Sequence, residues 1–130
     1  MPSIFTKIIQ GEIPSYKIAE NELYYAFLDI QPMAPGHTLV VPKKEVDYIF
    51  DLDEELLSGL LPFARPIARA IEKVVPCERI GLSVIGVEVP HTHLHLIPLR
   101  TMDDINFSKP KMRIGEDEMK RLASEIRSNL

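Results

Sequence analysis

Cysteine and long apolar segments are scarce in this sequence, and their scarcity excludes several classes of protein. Cys77 is the only cysteine, so no disulfide can form within one chain, which fits a reducing compartment. No run approaches the roughly 20 apolar residues of a membrane-spanning helix. The apolar stretch in residues 1–12 is too short for a signal peptide. We therefore predict a cytoplasmic protein with no membrane association.

An excess of positive charge is also missing. The net charge is −4 and the isoelectric point is near 5.5, so the surface is not built to hold DNA or RNA. A small anionic ligand remains compatible with this balance, because one pocket can be locally positive. With 130 residues, 45% of them hydrophobic, the chain is long enough for a single domain with its own core. We find no repeats, low-complexity stretch or linker.

The order of predicted elements indicates an α+β fold with a mainly antiparallel sheet. Ser3 is placed to cap a short N-terminal helix, and Asn21-Glu22 separates two strand-like runs in a plausible hairpin. Pro62 and Pro66 lie inside the main helical pattern, so we expect a kink there or two helices. Strands are predicted over 16–20, 23–30, 37–42, 79–84 and 91–99, and further helices over 53–75 and 116–128.

Three histidines alternate with other residues in the segment 90–98. In a strand, alternate side chains share a face, so His91, His93 and His95 would form one row while Leu94 and Leu96 enter the core. Two chemistries use such a row: metal binding by two or three rings, or nucleophilic catalysis by one ring oriented by its neighbours. The spacing alone leaves both open.

The pattern His91-Thr-His-Leu-His-Leu-Ile97 is the signature of the histidine-triad (HIT) superfamily, and the chain resembles its Hint-like branch. The blocks 3–14, 26–30 and 34–44 are similar to further conserved blocks of that family, in the same order. We identify a single HIT domain over 1–130, with a core from about residue 3 to residue 99 and an extension over about 100–130. The resemblance implies a five-stranded antiparallel sheet and a homodimer joined through the long helix and an edge strand.

The resemblance also implies an activity. His93 would attack the α-phosphate of a nucleoside monophosphate conjugate, such as a phosphoramidate or dinucleotide, and a covalent nucleotidyl-histidine would then be hydrolysed. His95 would bind the phosphate and leaving-group side, while His91 and His37 would orient the rings. No cofactor is implied, and the preferred substrate would be a purine nucleotide or its conjugate.

The nucleotide-binding positions follow from the same resemblance. Asp29 matches an acidic residue that binds ribose, and Gly86 matches a glycine whose backbone approaches phosphate. The positions matching the apolar pocket for the base are Ile4, Phe5, Ile8, Phe27 and Ile30.

Two departures from the family matter for function. The segment 83–90 is about four residues short, and Glu88 stands where the family has a serine or threonine that donates to phosphate. Ser3, Thr6 and Glu45 replace three of the four ligands of a structural zinc found in some members, so we predict no metal.

Three functions therefore stay in play. The first is a metal-independent hydrolase or phosphoramidase with a histidine nucleophile. The second is a catalytically weak nucleotide-binding or sensing module, suggested by Glu88 and the short loop. The third is a metalloprotein that uses the histidine row.

Overall fold

The computed structural model describes all residues, 1–130, and contains one five-stranded antiparallel sheet with three α-helices. The strands are β1 (Lys17–Glu20), β2 (Tyr24–Leu28), β3 (Thr38–Pro42), β4 (Arg79–Ser83) and β5 (Leu94–Leu99), and the helices are α1 (Ile4–Ile9), α2 (Glu54–Val74) and α3 (Glu116–Ser128). The strand order across the sheet is β1-β2-β3-β5-β4. The predicted α+β class with an antiparallel sheet is confirmed. None of the helices combines the length with the apolar character that a membrane span requires.

The two faces of the sheet are covered by different helices. A large core of 19 buried residues joins α2 and α3 to one face, and it includes Leu94 and Leu96 of β5 as predicted. A smaller cluster lies on the opposite face, where Phe5 and Ile8 of α1 pack on β2 and β3. Because side chains alternate along a strand, His95 projects onto the same face as α1. The cleft lined by the histidines lies on this second face.

Helix α2 runs unbroken through both prolines. Asp53 caps it by accepting a hydrogen bond from the Leu56 amide (2.9 Å), and Pro62 and Pro66 stand on its exposed face. A proline in a helix leaves one carbonyl without its amide partner, and on this face water can replace that partner. The single helix predicted over 53–75 is therefore confirmed, and the alternative of two separate helices is wrong.

Residues predicted to begin two of the strands lie just outside the sheet. Strand β5 starts at Leu94, so His91 and His93 precede it, and His37 precedes β3. The ladder between β3 and β5 ends at Val40 and Leu94, and the Thr92 amide donates instead to the Val46 carbonyl (2.7 Å). The uniform strand predicted from His91 onward is therefore wrong, because local side-chain and loop bonds replace the ladder.

The two terminal helices and the first hairpin follow the sequence closely. Ser3 caps α1 by accepting from the Thr6 amide at 3.0 Å. The Asn21 side chain accepts from the Leu23 and Tyr24 amides and so closes the turn between β1 and β2. Helix α3 has the predicted bounds and buries one side against α2 and β1 of its own chain.

Candidate active site

A cleft of about 400 Å³ opens on the face of the sheet that carries α1. It brings together most of the residues singled out in the sequence: His37, His93, His95, Asp29, Ile30, Ile4, Phe5, Gly86 and Glu88. His91, Phe27 and Ile8 do not line it. They are buried directly behind it, where Phe27 and Ile8 support Phe5 and His91 supports His93.

His93 is held in one tautomer by the backbone. Its Nδ1 lies 2.7 Å from the His91 carbonyl oxygen. A carbonyl only accepts, so Nδ1 of the neutral ring carries the proton and Nε2 keeps its lone pair. The ring also packs edge-on against Phe5, with centroids 4.9 Å apart. The arrangement presents an unprotonated imidazole nitrogen from a side chain whose rotation is restricted.

His95 is fixed by a relay that starts at a main-chain amide. The Met33 amide donates to His37 Nδ1 (2.9 Å), which leaves the His37 proton on Nε2. His37 Nε2 then donates to His95 Nδ1, also at 2.9 Å. The remaining proton of His95 is therefore on Nε2. His93 and His95 therefore present opposite groups to the cleft. Nε2 of His93 is a hydrogen-bond acceptor, and Nε2 of His95 is a donor.

His91 is held by bonds on both ring nitrogens. Its Nε2 donates to the Pro42 carbonyl (2.7 Å), so its Nδ1 accepts from the Ser3 hydroxyl (2.7 Å). The Glu45 carboxylate accepts from the Ser3 amide (2.7 Å) and from the Thr6 hydroxyl (2.6 Å). Ser3, Thr6 and Glu45, the three positions compared with zinc ligands, therefore converge beside His91, and in this chain hydrogen bonds join them.

Burial favours the neutral form of His37, His91 and His95. It lowers the pKa of His37 to about 3 and of His95 to about 4, and in both cases neighbouring cations and imidazoles lower it further. Burial also lowers the pKa of His91, against the opposing effects of the Pro42 carbonyl and Glu45. Neutral rings at pH 7 can act as hydrogen-bond partners of fixed direction.

Asp29 directly follows the last residue of β2 and lies beside His37. Its Oδ1 accepts from the Gln31 amide at 2.8 Å, and its Oδ2 lies 3.6 Å from His37 Nε2, too far for a hydrogen bond. Burial raises the pKa of Asp29, which the Gln31 amide and Lys111 partly offset. Ligand atoms of Asp29, His37 and His95 lie within 4.8 Å of one another. The bond between the two rings already uses the facing nitrogens, so a metal held by all three would have to break it.

The short loop between β4 and His91 forms the opposite wall. Gly86 has φ +76°, and only the Asp47 carbonyl, at 3.9 Å, lies near the place of a Cβ. The positive φ explains the glycine, because side-chain-bearing residues rarely adopt it. Glu88 and Val87 are exposed at the rim. A carboxylate thus stands beside the histidines, as the sequence suggested.

Two residues of the C-terminal tail complete the cleft, and sequence reasoning missed both. Phe107 packs edge-on against His95, with centroids 4.9 Å apart, and Lys111 lines the same wall. The tail is kept there by the Met112 amide, which donates to the Pro32 carbonyl (2.9 Å). Nothing in the local pattern marks this contact, because it joins segments about 80 residues apart; an isolated phenylalanine in a polar tail was the one available signal. Gln31, Leu39, Ile85, Val87 and Val89 were also missed as lining residues.

The fold and the site together define an α+β protein with four buried histidines, three of which line one cleft, and comparisons give its family. The HIT domain model matches residues 10–102, and the chain belongs to the HIT family. It is similar to the adenosine 5′-monophosphoramidase HNT1 of Saccharomyces cerevisiae, with 36% identity over 130 residues covering 98% of this chain and 82% of that protein. The adenosine 5′-monophosphoramidase hnt1 of Schizosaccharomyces pombe is 35% identical over 133 residues, covering 100% and 99%.

A solved structure of a Hit-like protein has a similar fold. The Hit-like protein involved in cell-cycle regulation from Bartonella henselae superposes with a TM-score of 0.84 at 32% identity. The match covers 98% of this chain and 96% of that one. The expected Hint-like character is consistent with the two yeast relatives.

Proposed function

We propose that this protein is a metal-independent hydrolase of nucleoside monophosphate conjugates, with His93 as the nucleophile toward the α-phosphate. The observation that carries the proposal is the pair of tautomers: the His91 carbonyl leaves a lone pair on His93 Nε2, and the relay through His37 leaves a proton on His95 Nε2. Transfer of a phosphoryl group from an ester or an amide requires two groups, a nucleophile and an adjacent hydrogen-bond donor.

The reaction of a phosphoramidate proceeds in two steps. In the first, the lone pair of His93 Nε2 forms a bond to phosphorus and the P–N bond breaks. The leaving nitrogen keeps the electron pair, takes a proton from water and departs as the amine. In the second, water attacks phosphorus, the P–Nε2 bond returns its electron pair to the ring, and the proton of the water is released. The products are the amine and the nucleoside monophosphate.

His95 and His37 assist without exchanging protons with the substrate. His95 Nε2–H donates to a non-bridging phosphate oxygen, and His37 holds that ring in the donating orientation. Since burial keeps the pKa of both residues far below 7, neither ring gains a proton that would disturb the relay at neutral pH. His91 positions His93 through the carbonyl that its own two ring bonds keep in place.

The nucleoside binds at the end of the cleft formed by β2 and α1. The Asp29 carboxylate can accept from two vicinal ribose hydroxyls, because only one of its oxygens is occupied by a backbone amide. Ile4 and Ile30 are exposed beside it, 47% and 71% respectively, and a planar base would cover them. Gly86 leaves its backbone open to the phosphate. The preference for a purine rests on the resemblance and on the names of the relatives.

A binding module with weak catalysis is the second candidate, and Glu88 supports it. An ionised carboxylate at the rim cannot donate to phosphate and repels it. In this role the protein would hold a nucleoside monophosphate without turning over its conjugates.

The proposal includes a homodimer, because a second copy of the chain could pack against a groove of about 510 Å³ between α2 and β4. Its lining includes Leu61 and Leu82, which are 56% and 51% exposed. Strand β4 is an edge strand with one row of unpaired backbone groups, and a second copy could pair with it. Light scattering should give twice the chain mass, and Leu82→Lys should shift it toward the monomer; a monomeric wild-type protein would contradict this part of the proposal.

The main test is hydrolysis of adenosine 5′-phosphoramidate in excess chelator by the wild type and by His93→Ala. We expect metal-free turnover in the wild type, loss of turnover in the variant, and an unchanged fold by circular dichroism. Full residual activity in the variant would refute the assignment of His93. Binding of adenosine monophosphate by a wild-type protein with no turnover of any conjugate would favour the binding module, and turnover abolished by chelator would favour a metalloprotein.

A further inference from the structure

The cleft contains one fixed positive charge, and it comes from the C-terminal tail. Lys111 is the only lysine or arginine among the lining residues, whereas Asp29 and Glu88 both contribute carboxylates. Since the pKa values of His37 and His95 are about 3 and about 4, these two rings add no charge at neutral pH. A conjugate with any negative charge beyond the α-phosphate would therefore depend on Lys111 for compensation.

The Lys111 ammonium has no carboxylate partner. It donates to the Met33 thioether sulfur at 3.3 Å and to the Phe107 carbonyl at 3.4 Å, both neutral acceptors. Neither Asp29 nor Glu88 lies within ion-pair distance of it. Lys109, two residues earlier, instead pairs with Asp103 at 2.8 Å. The charge of Lys111 is thus held at the cleft by weak neutral contacts and stays available to a ligand.

Phe107 joins this charge to the catalytic histidines. The Lys111 ammonium lies 5.0 Å from the centre of the Phe107 ring, and the same ring packs edge-on against His95. Lys111 also lowers the pKa of His37, His95 and Asp29 through space, which places its charge near the relay. Phe107 therefore forms an apolar wall with His95 at one end and a cation at the other.

We propose that Phe107 and Lys111 form a subsite for an anionic group on the leaving part of the substrate, a carboxylate or a second phosphate. This inference rests on the proposed function, because His93 and His95 define which part leaves. The Phe107 ring would contact the linker of the leaving group, and the ammonium would bind its oxyanion in place of the Met33 sulfur. The substrate class is then a nucleoside 5′-phosphate joined to an acidic amine rather than a simple amidate.

Three adenosine 5′-phosphoramidates of similar length test this subsite. Their leaving groups are glycine with a carboxylate, aminoethyl phosphate, and neutral aminoethanol. For the wild type we expect kcat/KM for at least one anionic conjugate to exceed that for the neutral one by about fivefold, the upper range for an exposed ion pair. Which anion is favoured separates a carboxylate subsite from a phosphate subsite. The preference should decrease with added salt.

The variants assign the preference to one side chain. Lys111→Met keeps the length of the side chain and should abolish the preference, whereas Lys111→Arg should retain it. Lys109→Met is the matched control, because it removes a charge from the same tail outside the cleft, and its ratios should equal those of the wild type. A wild type without preference, or Lys111→Met with the full preference, would overturn the proposal.

Failure of the proposed chemistry gives a different result. If no conjugate is turned over, the dissociation constants of the same three amidates can be measured with wild type and Lys111→Met by calorimetry. Tighter binding of an anionic amidate that disappears in Lys111→Met would support the subsite while contradicting the hydrolase. Equal binding of all three would overturn the subsite.

Discussion

Replacing Ser3 by alanine removes two contacts with one hydroxyl, and this makes it a sharp probe of the site. The hydroxyl accepts from the Thr6 amide at the start of α1 and donates to His91 Nδ1. Ser3 and His91 are 6% and 0% exposed, so water does not readily replace either bond. The Ser3 amide, which donates to Glu45, is retained in the variant.

The expected cost follows from the two contacts. Loss of an N-cap costs about 1 kcal/mol, and leaving a buried acceptor unpaired costs about 1–3 kcal/mol. We therefore expect Ser3→Ala to lower the free energy of unfolding by about 2–4 kcal/mol. Asp53→Ala is the matched control, because Asp53 caps α2 through the Leu56 amide without contacting a histidine, and it should cost only about 1 kcal/mol.

Urea unfolding monitored by circular dichroism measures both variants, with the slope expected to stay constant. The Thr6 hydroxyl, 3.5 Å from His91 Nδ1, already donates its proton to Glu45 and cannot serve both acceptors. If Ser3→Ala costs no more than Asp53→Ala, the bond to His91 does not stabilise the fold and the argument fails.

Two further predictions concern pH and a glycine. Because burial holds the pKa of His37 and His95 in the folded state below the ordinary histidine value of about 6.5, the unfolded chain binds more protons below that pH. Stability is therefore complete above pH 6.5 and falls on acidification, by up to about 1.4 kcal/mol per histidine per pH unit, until the folded pKa values of about 3 and 4 are reached. Urea midpoints between pH 8 and pH 5 measure the slope, which His37→Gln should reduce; an unchanged midpoint would contradict the neutral relay. Gly36→Ala should destabilise by about 1–3 kcal/mol, since φ is +90° and the new Cβ would lie 2.9 Å from Val75 Cγ2. Gly115→Ala is the control for the steric effect: no atom lies within 4 Å of the new Cβ, and the loss of glycine from the N-cap of α3 should cost only about 0.5 kcal/mol by the same measurement.

The sequence predicted most of the fold because the signals were local. The cap at Ser3, the Asn21 turn and the periodicity of α3 each depend on residues within a few positions of one another. The unbroken course of α2 through Pro62 and Pro66 could not be read in this way. Only the position of both prolines on the exposed face makes an unpaired carbonyl tolerable there.

The site was predicted less completely than the fold. The row of three histidines was recognised, but the strand was placed too early, because the bonds of His91 to Pro42 and Ser3 connect distant segments. The same is true of Phe107 and Lys111, which reach the cleft only through the tertiary path of the tail. The sequence does not reveal which group is the hydrogen-bond partner of each histidine. Those partners decide the tautomers on which the proposed chemistry depends.

The C-terminal tail both completes the cleft and connects β5 to a helix of the main core. Residues 100–115 run from β5 past the cleft to α3, and α3 contributes Met119, Leu122, Ala123 and Ile126 to the main core. The stretch that closes the cleft is therefore anchored at both ends by buried structure. Under the proposed function, single side chains such as Phe107 and Lys111 can be exchanged to alter selectivity without moving either anchor. A deletion that shortens the stretch would instead displace a helix of the core, so selectivity can vary by substitution more easily than by deletion.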